Sequence, residues 1–270
     1  MQTKIHHRYS NSASIRALLV AGALASLAFT QGLSAQVILD QGHVDLDFNY
    51  SGGSWQVGVH HDSVGYLNPS DVVFHARDEA WNAGARINRP SGSQWDFIGT
   101  EAGEPIWILP QTQEPSIVWP GFASEETAPG TFAAYSSLDP RVTDTPSRWI
   151  TIQLKSVEYI GEGTGNFSLW STGALGATTV WMSTVDGITT NDSFLFLEGG
   201  HVHLNWGFTD IGLYKITLEA SGYLNDGSMT PTSSGDWTYN FGVGVVPEPQ
   251  TIGFLALAAL AVLLLRRRND

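Results

Sequence analysis

The chain contains no cysteine. Disulfides, thiolate metal sites and cysteine nucleophiles are excluded together, so a domain working outside the cell must draw its stability from its core. Positive charge is scarce as well. Between Gln36 and Pro247 the basic residues are Arg77, Arg86, Arg89, Arg141, Arg148, Lys155 and Lys215, seven against 24 Asp and Glu, which gives this segment a formal charge of −17. A field of that sign repels phosphate backbones and concentrates cations, which argues against nucleic acid as a partner. Enzyme motifs are missing too: there is no Gly-x-Ser-x-Gly elbow and no His-Glu-x-x-His, and the glycine-rich stretch Gly161 to Gly165 lacks the lysine of a phosphate-binding loop. Carboxylate pairs in so acidic a chain arise by chance and do not specify a glycosidase. The expectation is a protein that is not an enzyme.

Long apolar runs occur only at the ends. Ala17 to Phe29 follows Lys4, Arg8 and Arg16 and precedes Gly32-Leu33-Ser34-Ala35. That order of charged, apolar and small residues is expected of a signal peptide spanning 1–35, whose removal leaves Gln36 first. At the other end Pro247-Glu248-Pro249 leads into Thr251 to Leu265, free of charge and proline, and then Arg266, Arg267 and Arg268. As a helix, residues 251–265 would extend ~22 Å, short of the ~30 Å hydrocarbon core. Snorkelling arginines extend that reach and place the C-terminus on the cytoplasmic side, so a transmembrane helix is expected. A helix packed on the domain would need a polar face, and this run has none.

The Pro-Glu-Pro motif, apolar helix and arginine cluster of residues 246–270 closely resemble the PEP-CTERM sorting signal of Gram-negative bacteria. The resemblance implies that an exosortase processes the chain near Pro247 to Pro249. It also implies a transient inner-membrane anchor, then release to the cell surface or to an extracellular matrix of exopolysaccharide.

The intervening domain, 36–245, is punctuated by Gly, Pro, Asn and Asp every eight to twelve residues, with short β-rich runs between. In Ile150-Thr151-Ile152-Gln153-Leu154-Lys155 and Tyr214-Lys215-Ile216-Thr217-Leu218-Glu219 apolar and polar residues alternate. Period two puts one face in a core and one in water. Strands are expected at 37–39, 43–50, 54–60, 147–160, 167–172, 177–184, 193–197, 202–208, 213–220 and 237–243. The fold class expected is all-β, an antiparallel β-sandwich of jelly-roll or immunoglobulin-like order. Residues 61–146, rich in proline and carrying Trp95, Trp107 and Trp119 at twelve-residue spacing, read as an irregular insertion on one face.

Chemistry concentrates in the histidines. On one strand His201 and His203 share a face and present two imidazoles side by side. A third ligand from His43, or from the His60 and His61 pair, would complete a site for zinc or another divalent metal, and His75 is a more remote candidate. Asp45 and Asp47 also share a face and could take calcium, but no Asp-x-Asp-x-Asp-Gly loop follows. The alternative is carbohydrate or exopolysaccharide binding, since exposed indoles stack on sugar rings. Of the ten tryptophans, Trp81, Trp95, Trp107 and Trp119 lie in the irregular region and are the expected exposed ones.

A second resemblance bears on the same histidines. Leu39-Asp40-Gln41-Gly42-His43-Val44-Asp45-Leu46 and the block Glu198-Gly199-Gly200-His201-Val202-His203-Leu204-Asn205-Trp206-Gly207-Phe208-Thr209 are similar to the choice-of-anchor M domain. The second block is also similar to a short repeat of actinobacterial surface-anchored proteins. Those relatives accompany metal-type ABC transporters, which implies surface capture of a metal or metal complex.

Overall fold

The computed structural model describes residues 36–142 and 145–246. The expected signal peptide, the Pro247-Glu248-Pro249 motif, the apolar run 251–265 and Arg266 to Arg268 lie outside the described residues. Among the described residues no helix is long and apolar enough to cross a membrane.

The architecture is all-β. In chain order the strands are β1 (Val37–Leu39), β2 (Gly42–Ser51), β3 (Ser54–His61), β4 (Gly65–Leu67), β5 (Val72–Ala76), β6 (Arg86–Asn88), β7 (Pro105–Leu109) and β8 (Val118–Ala123). Then follow β9 (Trp149–Gly161), β10 (Phe167–Thr172), β11 (Thr178–Ser183), β12 (Ser193–Leu197), β13 (His201–His203), β14 (Asn205–Phe208), β15 (Gly212–Tyr223) and β16 (Pro231–Val243). They form three sheets, ordered β1-β5-β16-β15-β9-β12, β11-β10-β14-β7-β6 and β13-β8-β2-β3-β4. Pairing is antiparallel except for β1 with β5, β5 with β16 and β2 with β8.

The alternating runs behave as their period requires. Tyr214, Ile216 and Leu218 of β15 are fully buried, while Lys215 and Glu219 reach across the outer face to Glu158 and Lys155. One apolar core serves all three sheets: Phe122 of β8 packs on Trp206 of β14, with ring centroids 5.3 Å apart, and Trp206 packs on Phe241 of β16 at 5.2 Å. Burial of each such side chain contributes about 2 kcal/mol.

Two expectations are corrected. Residues 61–146 are not an insertion on one face, because β5, β7 and β8 enter all three sheets. Their runs are short and apolar on both faces, as in Pro105–Leu109, so they lack the alternation that marks a half-buried strand. The run 202–208 is not one strand. Leu204, 2% exposed, separates β13 from β14, and the chain there leaves one sheet for another, a corner between packed sheets.

Candidate metal centre

The site begins with the two-sided burial of β2. Val44, Leu46 and Phe48 face the core, whereas Asp45, Asp47 and Asn49 on the opposite face are also buried, at 3, 7 and 7% exposure. Water normally holds such groups, so a buried polar face demands partners. For Asn49 they are visible: its Oδ1 accepts the Glu126 N–H at 2.9 Å.

Pairing in the sheet β13-β8-β2-β3-β4 determines which side chains meet. His203 stands opposite Gly121 of β8, and Gly121 stands opposite Asp45 of β2. Gly121 has no side chain to block the space between them. A Cβ there would lie 2.7 Å from His203 Cε1 and 2.8 Å from Asp45 Oδ1. Across this gap the imidazoles of His201 and His203 meet the ring of His43.

The three Nε2 atoms form a triangle, His43 to His201 3.1 Å, His43 to His203 3.1 Å and His201 to His203 2.9 Å. Asp45 completes the group, with its oxygens 2.9 Å from His201 Nε2, 3.5 Å from His43 Nε2 and 3.9 Å from His203 Nε2. A tetrahedron on bonds of ~2.0 to 2.1 Å has edges of ~3.3 to 3.4 Å. The three nitrogen–nitrogen separations fall ~0.2 to 0.5 Å short of that value, and those to Asp45, two from Oδ1 and one from Oδ2, lie on either side of it.

The electrostatics suit a cation. His43 Nδ1 lies 3.0 Å from Asp62 Oδ1 and donates to it, so in the neutral ring Nε2 carries the lone pair. The Asp62 carboxyl is held below its usual range chiefly by that hydrogen bond. Burial, then the nearby His201 and His43 rings, push His203 down to about 3, so a proton is not the stabilising charge at neutral pH. Burial raises the Asp45 carboxyl, partly offset by His201 and His43. Its Oδ1 is buried and makes no well-formed hydrogen bond, its 2.9 Å approach to His201 notwithstanding. His203 Nδ1 is likewise buried without a hydrogen-bond partner. Where His201 and His203 also turn the lone pairs of Nε2 inward, their convergence on a buried carboxylate is costly unless a cation lies among them.

Outer partners hold the rings. Asp62 orients His43, Glu125 lies 3.7 Å from His201 Nδ1, and Trp119 stacks on His203 with centroids 3.7 Å apart. His43, His201 and His203 are therefore brought together, and Asp45 joins them. His60 and His61 do not. The ring of His60 stacks on Tyr66 at 4.4 Å. His61, two bonds satisfied, accepts from the Ser63 N–H and donates to the Gln41 carbonyl. His75 is on β5, in a different sheet.

The four tryptophans expected to be exposed differ in their burial. Trp107 is 4% exposed with its N–H on Asp78, and Trp95 packs edge-on against Trp170 beside a small apolar cluster. Trp119 is a wall of the histidine site, which leaves Trp81, 39% exposed, as the accessible one of the four. Asp45 was not legible as a member of the group: its i, i+2 relation to His43 marks a shared face, but a shared face does not reveal burial. When the chain is compared with models of known protein families, with curated proteins and with solved structures, no match is found.

Proposed function

We propose that this domain is a metal-binding module that holds one divalent transition-metal ion of the zinc class through His43, Asp45, His201 and His203. The observation that carries the reading is the convergence of three imidazole Nε2 atoms at 2.9 to 3.1 Å beside a buried carboxylate oxygen without a hydrogen bond. Three nitrogens and one oxygen suit zinc, nickel or copper better than calcium or magnesium, which prefer all-oxygen shells. Four protein donors fill a tetrahedron and leave no position for an activated water, so the module binds rather than catalyses. The acidic surface would draw the ion inward.

The reading extends to the cell as a proposal resting on sequence alone. The Pro-Glu-Pro tail supports processing by an exosortase after passage through the inner membrane, and the choice-of-anchor M resemblance supports capture at the surface. Dialysis of the purified domain against zinc, followed by metal analysis, should give one ion per chain. A stoichiometry near zero in the wild type would end the proposal.

A further inference from the structure

Away from the histidines the molecule carries a second feature with the character of a binding site, a groove of about 800 Å³. Its floor is the outer face of β12, β9 and β15, where Leu195, Thr151 and Ser221 stand side by side in register while Ile150, Ile152 and Ala220 point into the core. The segment from Tyr135 to Arg141 builds one wall. This wall is fixed in place by Arg141, whose guanidinium donates to the carbonyls of Val180, Trp181, Asn191 and Ser193 at 3.0 to 3.1 Å and pairs with Asp139 at 2.6 Å. It also lies 5.0 Å over the Trp181 ring. A loop held by that many bonds keeps its shape without ligand.

Three properties specify the occupant. The first is charge. Among the described residues the charged side chains of the lining are Asp139 and Arg141, and they neutralise each other, in a domain with a formal charge of −17. An uncharged ligand meets no opposing field there, and a charged one finds no partner. The second is the polar complement: the hydroxyls of Thr151, Ser193, Ser221 and Thr232 and the amide of Asn191 both donate and accept hydrogen bonds. The third is the apolar complement. Tyr223, 42% exposed, meets Tyr135 edge to face at 5.3 Å, and Leu138 on the wall is wholly exposed. Rigid aromatic faces among small neutral hydrogen-bonding groups match a chain of sugar rings, each with apolar C–H faces and hydroxyl edges. A peptide adding as a strand would need a free sheet edge, whereas this floor presents side chains.

We propose that the groove binds a segment of an uncharged polysaccharide. The test is native affinity electrophoresis of the purified domain in gels containing dextran, pullulan, laminarin, galactomannan or xyloglucan, with alginate as an anionic comparison. The result expected is retardation by at least one neutral polymer. Tyr223→Ala, which removes a half-exposed ring, should weaken it about 5- to 10-fold, and Ser221→Trp, which fills the floor, should abolish it, circular dichroism confirming that both variants stay folded. His201→Ala and added chelator should leave the retardation unchanged, so this result is independent of metal binding. Absence of retardation in all five neutral gels, retardation by alginate alone, or equal retardation of both groove variants would overturn the proposal.

Discussion

Removing His201 is the most direct perturbation of the proposed metal centre. The residue lies on the edge strand β13, its side chain is 30% exposed, and among the site's rings it is the most accessible. Its deletion should therefore cost the metal-free fold little, within about 1 kcal/mol. The cost to binding should be much larger. Four-donor structural zinc sites are worth about 10 to 16 kcal/mol at neutral pH, so one donor accounts for about 3 to 4 kcal/mol, or two to three powers of ten in affinity. The same figure predicts a thermal result. At free zinc a hundredfold above the wild-type Kd, binding adds about 2.7 kcal/mol, and a domain of this size gains about 5 to 11 °C in Tm. If His201→Ala raises Kd a hundredfold, the same zinc adds about 0.4 kcal/mol and shifts Tm by about 1 °C. Calorimetric titration gives the affinity and differential scanning gives the shift. His60→Ala is the matched control, since that ring stacks on Tyr66 and should leave zinc affinity unchanged. Wild-type affinity in His201→Ala, or equal losses in both variants, would refute the four-residue site.

Gly121→Ala should lower zinc affinity at least about tenfold with the β-sheet spectrum retained, because its Cβ would fall 2.7 Å from His203 and 2.8 Å from Asp45; an unchanged titration would count against the geometry. Burial, then the charges of Asp45, Glu125 and Glu126, push Asp47 up to about 7, so the folded state holds its proton more tightly than the unfolded chain and loses stability as pH rises from about 4 through 7. In chelator, Asp47→Asn should accordingly stabilise the domain at pH 8, by up to about 4 kcal/mol, and leave it unchanged at pH 4; urea denaturation with no gain at pH 8 would contradict that assignment. His203 has the opposite sign: held near 3 while the unfolded ring titrates near 6.5, its contribution is complete above 6.5 and is lost as pH falls toward 3. In the native host, intact-mass spectrometry of the extracellular protein should find a chain beginning near Gln36 and ending near Pro247, and retention of residues 251–270 would refute the processing expected from the sequence.

What the sequence revealed of the fold followed from solvent contact. Strands with one wet face announce themselves by alternation, as Tyr214 to Glu219 of β15 does, while 167–172 and 193–197, buried almost throughout, are found at the expected bounds between turn residues. β5, β7 and β8, with little polar face, gave no such signal and looked like irregular chain among prolines. Long-range pairing was equally silent. Nothing local in Val118–Ala123 says that it lies between β13 and β2, and without that strand the His-x-His pair has no route to His43.

The histidine pair was legible because period two is a local property, and His43 as a candidate third partner because its block and that of His201 and His203 resemble the same family. The fourth was not, for a reason that also explains the site. A carboxylate on a strand reads as solvent-facing, and Asp45 is inside only because β13, turning at Leu204 from one sheet into the next, lays two imidazoles over it. The strand β13 has three residues and one neighbour, β8. Two of those residues are metal ligands in the proposed site. An ion bonded to His201 and His203 on one side and to His43 and Asp45 on the other would tie this short edge to the middle of its sheet across the bare backbone of Gly121. Metal capture and the closing of the sheet corner are then the same event. Hydrogen exchange should show it: with zinc, amides of 199–204 and 118–123 should gain protection, whereas those of β9 and β15, far from the ligands and already paired on both sides, should not change. Protection spread evenly over all strands would mean that the ion stabilises the fold as a whole and not this corner.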